Sequence, residues 1–236
     1  MSNRNPAYWA IVPAAGSGRR MGAAIPKQFL ELGQRTVLEH SLDSLWNAVE
    51  LEALVLVSQG HPALAALIER HHEHRLIRAD GGRERCHSVL NGLQALVDLA
   101  QADDWVLVHD AARPCVRYQD LRLLVDTLAD HATGGLLGTP VHDTIKRTDT
   151  RGAVCATLDR DTLWRAGTPQ MFRYDLLRQA LKKALEDGFE VTDESSAMEH
   201  AGHRPQMIEG HADNIKITRP EDLPLAEYFL QQQGRL

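Results

Sequence analysis

Apolar residues along this chain fall into two rhythms. Short runs at Trp9 to Pro13, Leu51 to Val57, Arg75 to Ala79, Trp105 to Val108, Gly135 to Val141 and Gln206 to Glu209 have the length and composition of strands. Between several of them, apolar residues return every three or four positions, as on one face of a helix. Val37, Leu38, Leu42, Leu45, Trp46 and Val49 form such a face, entered through Thr36 and Glu39, which are spaced as a capping box. Val89, Leu90, Leu93, Leu96 and Val97 form another, Leu121, Leu124, Val125 and Leu128 a third, and Leu177, Ala180, Leu181, Ala184 and Leu185 a fourth that stops at Gly188. Strands alternating with helices predict an α/β fold, a mostly parallel twisted sheet with helices on both faces and right-handed crossovers. There is no internal repeat or low-complexity linker.

The rhythm breaks from Val141 to Leu158. Two β-rich runs, Thr144 to Thr148 and Val154 to Thr157, flank the Gly-containing turn Asp149 to Gly152 and predict an inserted hairpin. Such a ribbon has little core of its own, so it packs either on a neighbouring subunit or along the edge of its own domain. The 236 residues suffice for one domain, 1–236, carrying this arm at about 141–158.

Composition narrows the function. Hydrophobic content of 43% and charged content of 25% are those of a globular protein. No run is long enough to span a membrane and Met1 to Pro6 lacks a signal-peptide core, so the cytoplasm is the expected compartment. A formal charge of −6 argues against nucleic acid, leaving any phosphate site only locally basic. Cys86, Cys115 and Cys155 are odd in number and dispersed, which reads as reduced thiols. His71, His72, Glu73 and His74 read as a solvated helix end without a fourth metal ligand.

The richest chemistry follows the first strand. Pro13-Ala14-Ala15-Gly16-Ser-Gly18-Arg-Arg20-Met-Gly22, then Pro26-Lys27-Gln28, places backbone N–H groups and the cations Arg20 and Lys27 where a strand opens into a loop, as polyphosphate binding requires. The glycine spacing is one residue too long for the dinucleotide fingerprint, and no acid follows the second strand run, which ends in Ser58-Gln59-Gly60. A P-loop needs Ser or Thr after its Lys, whereas Gln28 follows Lys27. Further polar groups gather where strands end. Asp110 and Arg113 suit a carboxylate for a metal or sugar hydroxyl beside a phosphate-gripping guanidinium, or else a turn cap and its ion pair. Asp80-Gly81-Gly82-Arg83-Glu84-Arg85 opens a helix, with Ser88 one turn inside it, and suits close approach to a base or a plain glycine turn. Ala212 to Thr218 reads as a short strand with Lys216 facing solvent or a polar cleft, and Thr218-Arg-Pro220-Glu221 as the start of the last helix. Arg160 alone reads as a surface charge, and Thr192 as a helix N-cap.

Together these segments resemble the 2-C-methyl-D-erythritol 4-phosphate cytidylyltransferases of the non-mevalonate isoprenoid pathway. The likeness runs through Pro13 to Met21, Pro26 to Gln28, Asp80 to Gly82, Val108 to Pro114, Pro140 to Thr144, Asp159-Arg160, Thr168 to Gln170, Thr192 to Glu194 and Asp213 to Lys216, nearly the whole chain. It implies a glycosyltransferase-A-like nucleotidyltransferase fold in a cytoplasmic homodimer, with CTP and 2-C-methyl-D-erythritol 4-phosphate as substrates and Mg²⁺ as cofactor. It also implies that Ala14, Ala15, Gly16, Gly18, Gly82 and Ser88 hold the nucleotide and that Arg20 and Lys27 neutralise its triphosphate. Lys216 and Arg160 would orient the attacking phosphate, and Asp110, Arg113, Thr144, Thr168 and Thr192 would line the sugar-phosphate site. The family's hairpin crosses a dimer, so Thr144 and Arg160 would serve the partner's site. Mg²⁺ would be held mainly by CTP phosphates, with Asp110 the one candidate protein ligand. At Arg83 the chain departs from the acid that often follows the glycine pair in the family. Two other activities share part of this pattern: cytidylyl transfer to ribitol 5-phosphate, and nucleotide binding without turnover in a regulator. The chain is too short to include the cyclodiphosphate synthase domain that follows this one in bifunctional fusions.

Overall fold

In a computed structural model of the chain, the described residues are 4–16, 25–71 and 75–236. The strands are β1 (Tyr8–Pro13), β2 (Glu31–Leu32), β3 (Arg35–Thr36), β4 (Leu51–Ser58), β5 (Leu76–Asp80), β6 (Trp105–Val108), β7 (Gly134–Pro140), β8 (Lys146–Thr148), β9 (Val154–Thr157), β10 (Trp164–Arg173) and β11 (Gln206–Glu209). The helices are α1 (Val37–Ala48), α2 (Pro62–Arg70), α3 (Arg85–Gln94), α4 (Tyr118–Leu128), α5 (Tyr174–Glu186), α6 (Glu194–His200) and α7 (Asp222–Gln232). Seven strands form one sheet in the order β11-β7-β10-β6-β1-β4-β5. All its pairs are parallel except those of β10, which opposes β6 and β7.

Period-two alternation divides the core. On β1, Ala10 and Val12 face α1, α2 and α4 through Leu38, Leu42, Leu64, Leu67, Leu121 and Leu124. Trp9 and Ile11 face α3, α5 and α6 through Val89, Leu93, Leu177, Leu181 and Met198. A third cluster joins Leu32, Val37, Ala112, Cys115, Ile217, Ala226 and Leu230, and seats α7 beside the loop after β6. The capping box at Thr36 and Glu39 forms as expected, and Gly188 follows α5 at a φ of +67°.

Several expectations are corrected. β10 escapes the periodicity because Gly167 and Pro169 interrupt it; the register shifts between Ala166 and Gln170, so Pro169 falls where the ladder is already broken. Thr192 is exposed and does not cap α6: Asp193 does, in a reciprocal box with Ser196. Ala212 to Thr218 is irregular rather than a strand, because its backbone bonds elsewhere: the Asn214 carbonyl accepts from Arg113, and the Ile217 N–H donates to Ala112. α7 starts at Asp222, whose carboxylate accepts from the backbone N–H groups of Thr218 and Arg219. β8 and β9 pair antiparallel across the Asp149 to Gly152 turn, and this exposed ribbon leaves Val154 63% exposed. Thr144 precedes the ladder. None of the helices among the described residues is long and apolar enough to cross a membrane.

Candidate active site

The carboxyl ends of β1, β4, β5 and β6 open into a cleft of about 660 Å³. β1 has β4 on one side and β6 on the other, so the chain's path diverges there and leaves a crevice, where ligands bind in open α/β sheets. Ala14, Ala15 and Gly16 line it after β1, Gln59 after β4, Gly82 to Arg85 after β5, and Asp110 to Ala112 after β6. Lys27, Gln28, Lys216 and Thr218 complete the wall.

Local bonds fix each piece. Buried Gln28 donates through Nε2 to the carbonyls of Ala14 (2.6 Å) and Gly16 (3.0 Å), tying the Pro26-Lys27-Gln28 turn to the start of the first loop. Sequence reasoning gave Gln28 no role. Lys27 Nζ donates to the Ile217 carbonyl at 2.5 Å, so the turn also meets the Lys216 segment. Gly82 N–H donates to Ser88 Oγ (3.0 Å), which itself donates to the Glu84 carbonyl (3.1 Å). A Cβ on Gly82 would lie 2.4 Å from His87 Cβ and 2.8 Å from its carbonyl carbon, so glycine is demanded by the packing of this turn on α3. Gly18 and Arg20 lie outside the described residues. Arg83 is exposed and contacts Glu84 at 3.9 Å.

Asp110 is the electrostatic centre. Its Oδ1 accepts from Arg85 Nε (2.9 Å), and its Oδ2 meets Lys216 Nζ at 2.8 Å and Arg113 Nε at 3.4 Å. Burial pushes its pKa up, but Arg85, Lys216 and Arg113 outweigh burial and hold the carboxyl well below the usual carboxylate range. Arg85 continues to Glu194, which is fully buried, through Nη1 (2.6 Å) and Nη2 (3.0 Å). Burial lowers the Arg85 pKa, yet Glu194 and Asp110 raise it further, so its charge is permanent. Neither Arg85 nor Glu194 was singled out by sequence reasoning; the pair joins residues 109 positions apart, a distance no local pattern reveals.

Beneath Asp110 a second chain of bonds sets its backbone. Asp110 N–H donates to Thr168 Oγ1 (3.1 Å), and that hydroxyl pairs with His109 Nδ1 (3.0 Å). His109 Nε2 lies 3.2 Å from the Arg113 carbonyl, so neutral His109 in the Nε2–H tautomer satisfies both contacts. Burial pushes its pKa down to about 4. Thr168 is thus a buried support under the cleft floor, 4% exposed, and its carbonyl accepts from Asn214. Lys27, Gly82, Ser88, Asp110 and Lys216 therefore converge on one cleft, with Arg113 against Asp110. Thr144, Arg160 and Thr192 are exposed and are not part of the wall that one chain builds; Arg160 donates to the His142 carbonyl at 2.5 Å.

The family model for 2-C-methyl-D-erythritol 4-phosphate cytidylyltransferase (IspD) matches residues 8–232. The chain belongs to this family. The cytidylyltransferase of Pseudomonas syringae pv. tomato is 50% identical over 236 residues, covering 100% of both chains. That of Hahella chejuensis is 50% identical over 224 residues, 95% of this chain and 93% of its own. Among solved structures, the Francisella tularensis cytidylyltransferase superposes with a TM-score of 0.81 at 33% identity, covering 95% of this chain and 100% of that one. The reversed β10 and the strand-end cleft are thus parts of a cytidylyltransferase fold.

Proposed function

We propose that the protein transfers CMP from CTP to 2-C-methyl-D-erythritol 4-phosphate, releasing pyrophosphate and 4-diphosphocytidyl-2-C-methyl-D-erythritol for isoprenoid precursor synthesis. The observation that carries this reading is the convergence of Lys27, Asp110 and Lys216 with the Gly82 and Ser88 turn on one strand-end cleft, in a chain of this family.

Attack of a phosphate oxygen on the α-phosphorus of CTP needs in-line placement and charge neutralisation more than a protein nucleophile. The backbone of Ala14 to Gly16 and the Gly82 and Ser88 turn receive the cytidine. Lys27, with Arg20, neutralises the departing pyrophosphate. Lys216 stands against Asp110, where it can exchange part of that pairing for the incoming phosphate dianion, and Arg113 and Thr168 hold Asp110 in place. A phosphate dianion is already nucleophilic at neutral pH, so no general base is required.

Both Asp110 oxygens already face cations, which leaves that carboxylate little capacity for a metal. This donor set fits an ion carried in mainly on triphosphate oxygens, with Asp110 as the carboxylate proposed to approach it. Mg²⁺ so bound would spread the charge developing between the α- and β-phosphates. The subunits are read as single-domain and cytoplasmic, and exposure of the 141–158 ribbon supports a homodimer in which Thr144 and Arg160 reach the partner's cleft and Thr192 contacts the substrate from its own side.

The test is pyrophosphate release with Mg²⁺ from CTP and 2-C-methyl-D-erythritol 4-phosphate, run beside ribitol 5-phosphate and beside ATP in place of CTP. Turnover confined to the first pair is expected. Preference for ribitol phosphate would overturn the acceptor, and CTP binding without release would leave a nucleotide-binding regulator.

A further inference from the structure

At the mouth of the cleft, three side chains that the reaction does not use point at one another. Glu84 is the N-cap of α3, and Cys86 and His87 lie in its first turn. Glu84 Oε2 is 3.9 Å from Cys86 Sγ and 3.8 Å from His87 Nδ1, and those two atoms are 3.5 Å apart. The product of these sides over four times the triangle's area gives a circumscribed radius of about 2.2 Å, against metal bonds of about 2.3 Å to sulfur and 2.0–2.2 Å to nitrogen and oxygen. An ion set slightly above the plane of the three donors, as tetrahedral coordination requires, would lie about 2.3 Å from each of them, within a few tenths of an ångström of those bond lengths. No other trio of His, Cys, Asp or Glu among the described residues offers such a group.

Donor chemistry selects the ion. Thiolate and imidazole with one carboxylate make a borderline-soft set that prefers Zn²⁺ to Mg²⁺, and three protein ligands leave a fourth tetrahedral position for water. Cys86 is buried, but the Glu84 side chain is 61% exposed and that of His87 29%, so an ion has a path from solvent.

We propose that Glu84, Cys86 and His87 form a Zn²⁺ site on the rim of the cleft. Binding replaces the Cys86 S–H bond with a sulfur–zinc bond and releases the proton to solvent, with no change of oxidation state. The ion would tie the N-cap of α3 to its first turn, beside the Glu84 carbonyl that accepts from Ser88.

The experiment titrates the full-length protein, reduced with a non-thiol phosphine and free of nucleotide, with Co²⁺ as a spectroscopic stand-in. Without nucleotide, the result is independent of the proposed reaction. We expect a near-ultraviolet thiolate-to-cobalt band and intense visible bands of four-coordinate cobalt, both bleached by equimolar Zn²⁺. Cys86→Ser should abolish the thiolate band, and Cys155→Ser, at the exposed cysteine, should leave it unchanged. His87→Gln should weaken cobalt binding at least ~10-fold, and this variant carries the test should Cys86→Ser fail to fold. Absence of the band, its survival in Cys86→Ser, its loss in Cys155→Ser, or unchanged affinity in His87→Gln would overturn the site.

Discussion

Replacing Glu194 by Leu should be among the most damaging single changes in this fold, although its side chain does not line the cleft. Its carboxylate is fully buried and accepts two bonds from Arg85, whose remaining partner is Asp110. Without Glu194 the guanidinium keeps its charge but loses half of its counter-charge. Breaking a buried pair costs about 3–5 kcal/mol, and since 27% of the Arg85 side chain reaches water, the low end, about 3 kcal/mol, applies here. With a urea m-value of about 3 kcal/mol/M, the unfolding midpoint should fall by about 1 M at a fixed protein concentration. Arg85→Met in the same background removes the orphaned charge, so the double variant should recover much of that loss, a coupling of about 2 kcal/mol or more. The double variant should nonetheless remain poor in catalysis, since the Asp110 carboxylate then has only Lys216 and Arg113 of its three cations. A midpoint shift under about 0.3 M for Glu194→Leu, or strictly additive losses in the double variant, would refute this account of the network.

Lys27→Ala should lower kcat/KM for pyrophosphate release by about 10²-fold, equivalent to about 3 kcal/mol of transition-state stabilisation; a tenfold or smaller loss would remove its assigned role. Because the folded pKa of His109 is depressed to about 4 from 6.5, the unfolded chain binds the proton first as pH falls. The stabilisation from keeping it neutral is complete above pH 6.5 and lost between 6.5 and 4, up to about 3 kcal/mol, and His109→Gln should flatten that part of the denaturation profile. An identical slope in wild type and variant would contradict this. If Arg160 serves the partner's cleft, inactive Lys27→Ala and Arg160→Ala proteins, mixed and re-equilibrated, should recover about a quarter of wild-type activity, since half the dimers are mixed and each has one intact site. No recovery after confirmed subunit exchange would place both residues in one subunit's site.

What the sequence disclosed depended on whether an interaction was local. The apolar run of β1, the capping box at Thr36 and Glu39, and the ribbon around Gly152 each rest on a run, repeat or turn within a few residues, and each stands in the structure. β10 was hidden because Gly167 and Pro169 obscure its pattern, although Thr168 to Phe172 are all buried. Ala212 to Thr218 looked like a strand because Ile215 and Ile217 alternate with Lys216, yet the side chain of Arg113 takes the carbonyl of Asn214. Strand-end motifs brought Lys27, Asp110 and Lys216 to notice separately. Their joint placement, and the dependence of Asp110 on Arg85, Glu194 and Thr168, come from tertiary contacts that leave no local mark.

The most direct test of the mechanism is the stereochemical course at the α-phosphorus, followed with CTP made chiral there by sulfur substitution. Direct attack by the substrate's phosphate, in a cleft that supplies placement and charge neutralisation rather than a protein nucleophile, predicts inversion of configuration. Retention would mean two successive displacements through a covalent enzyme intermediate, and would contradict the claim that this cleft works by placement and charge alone.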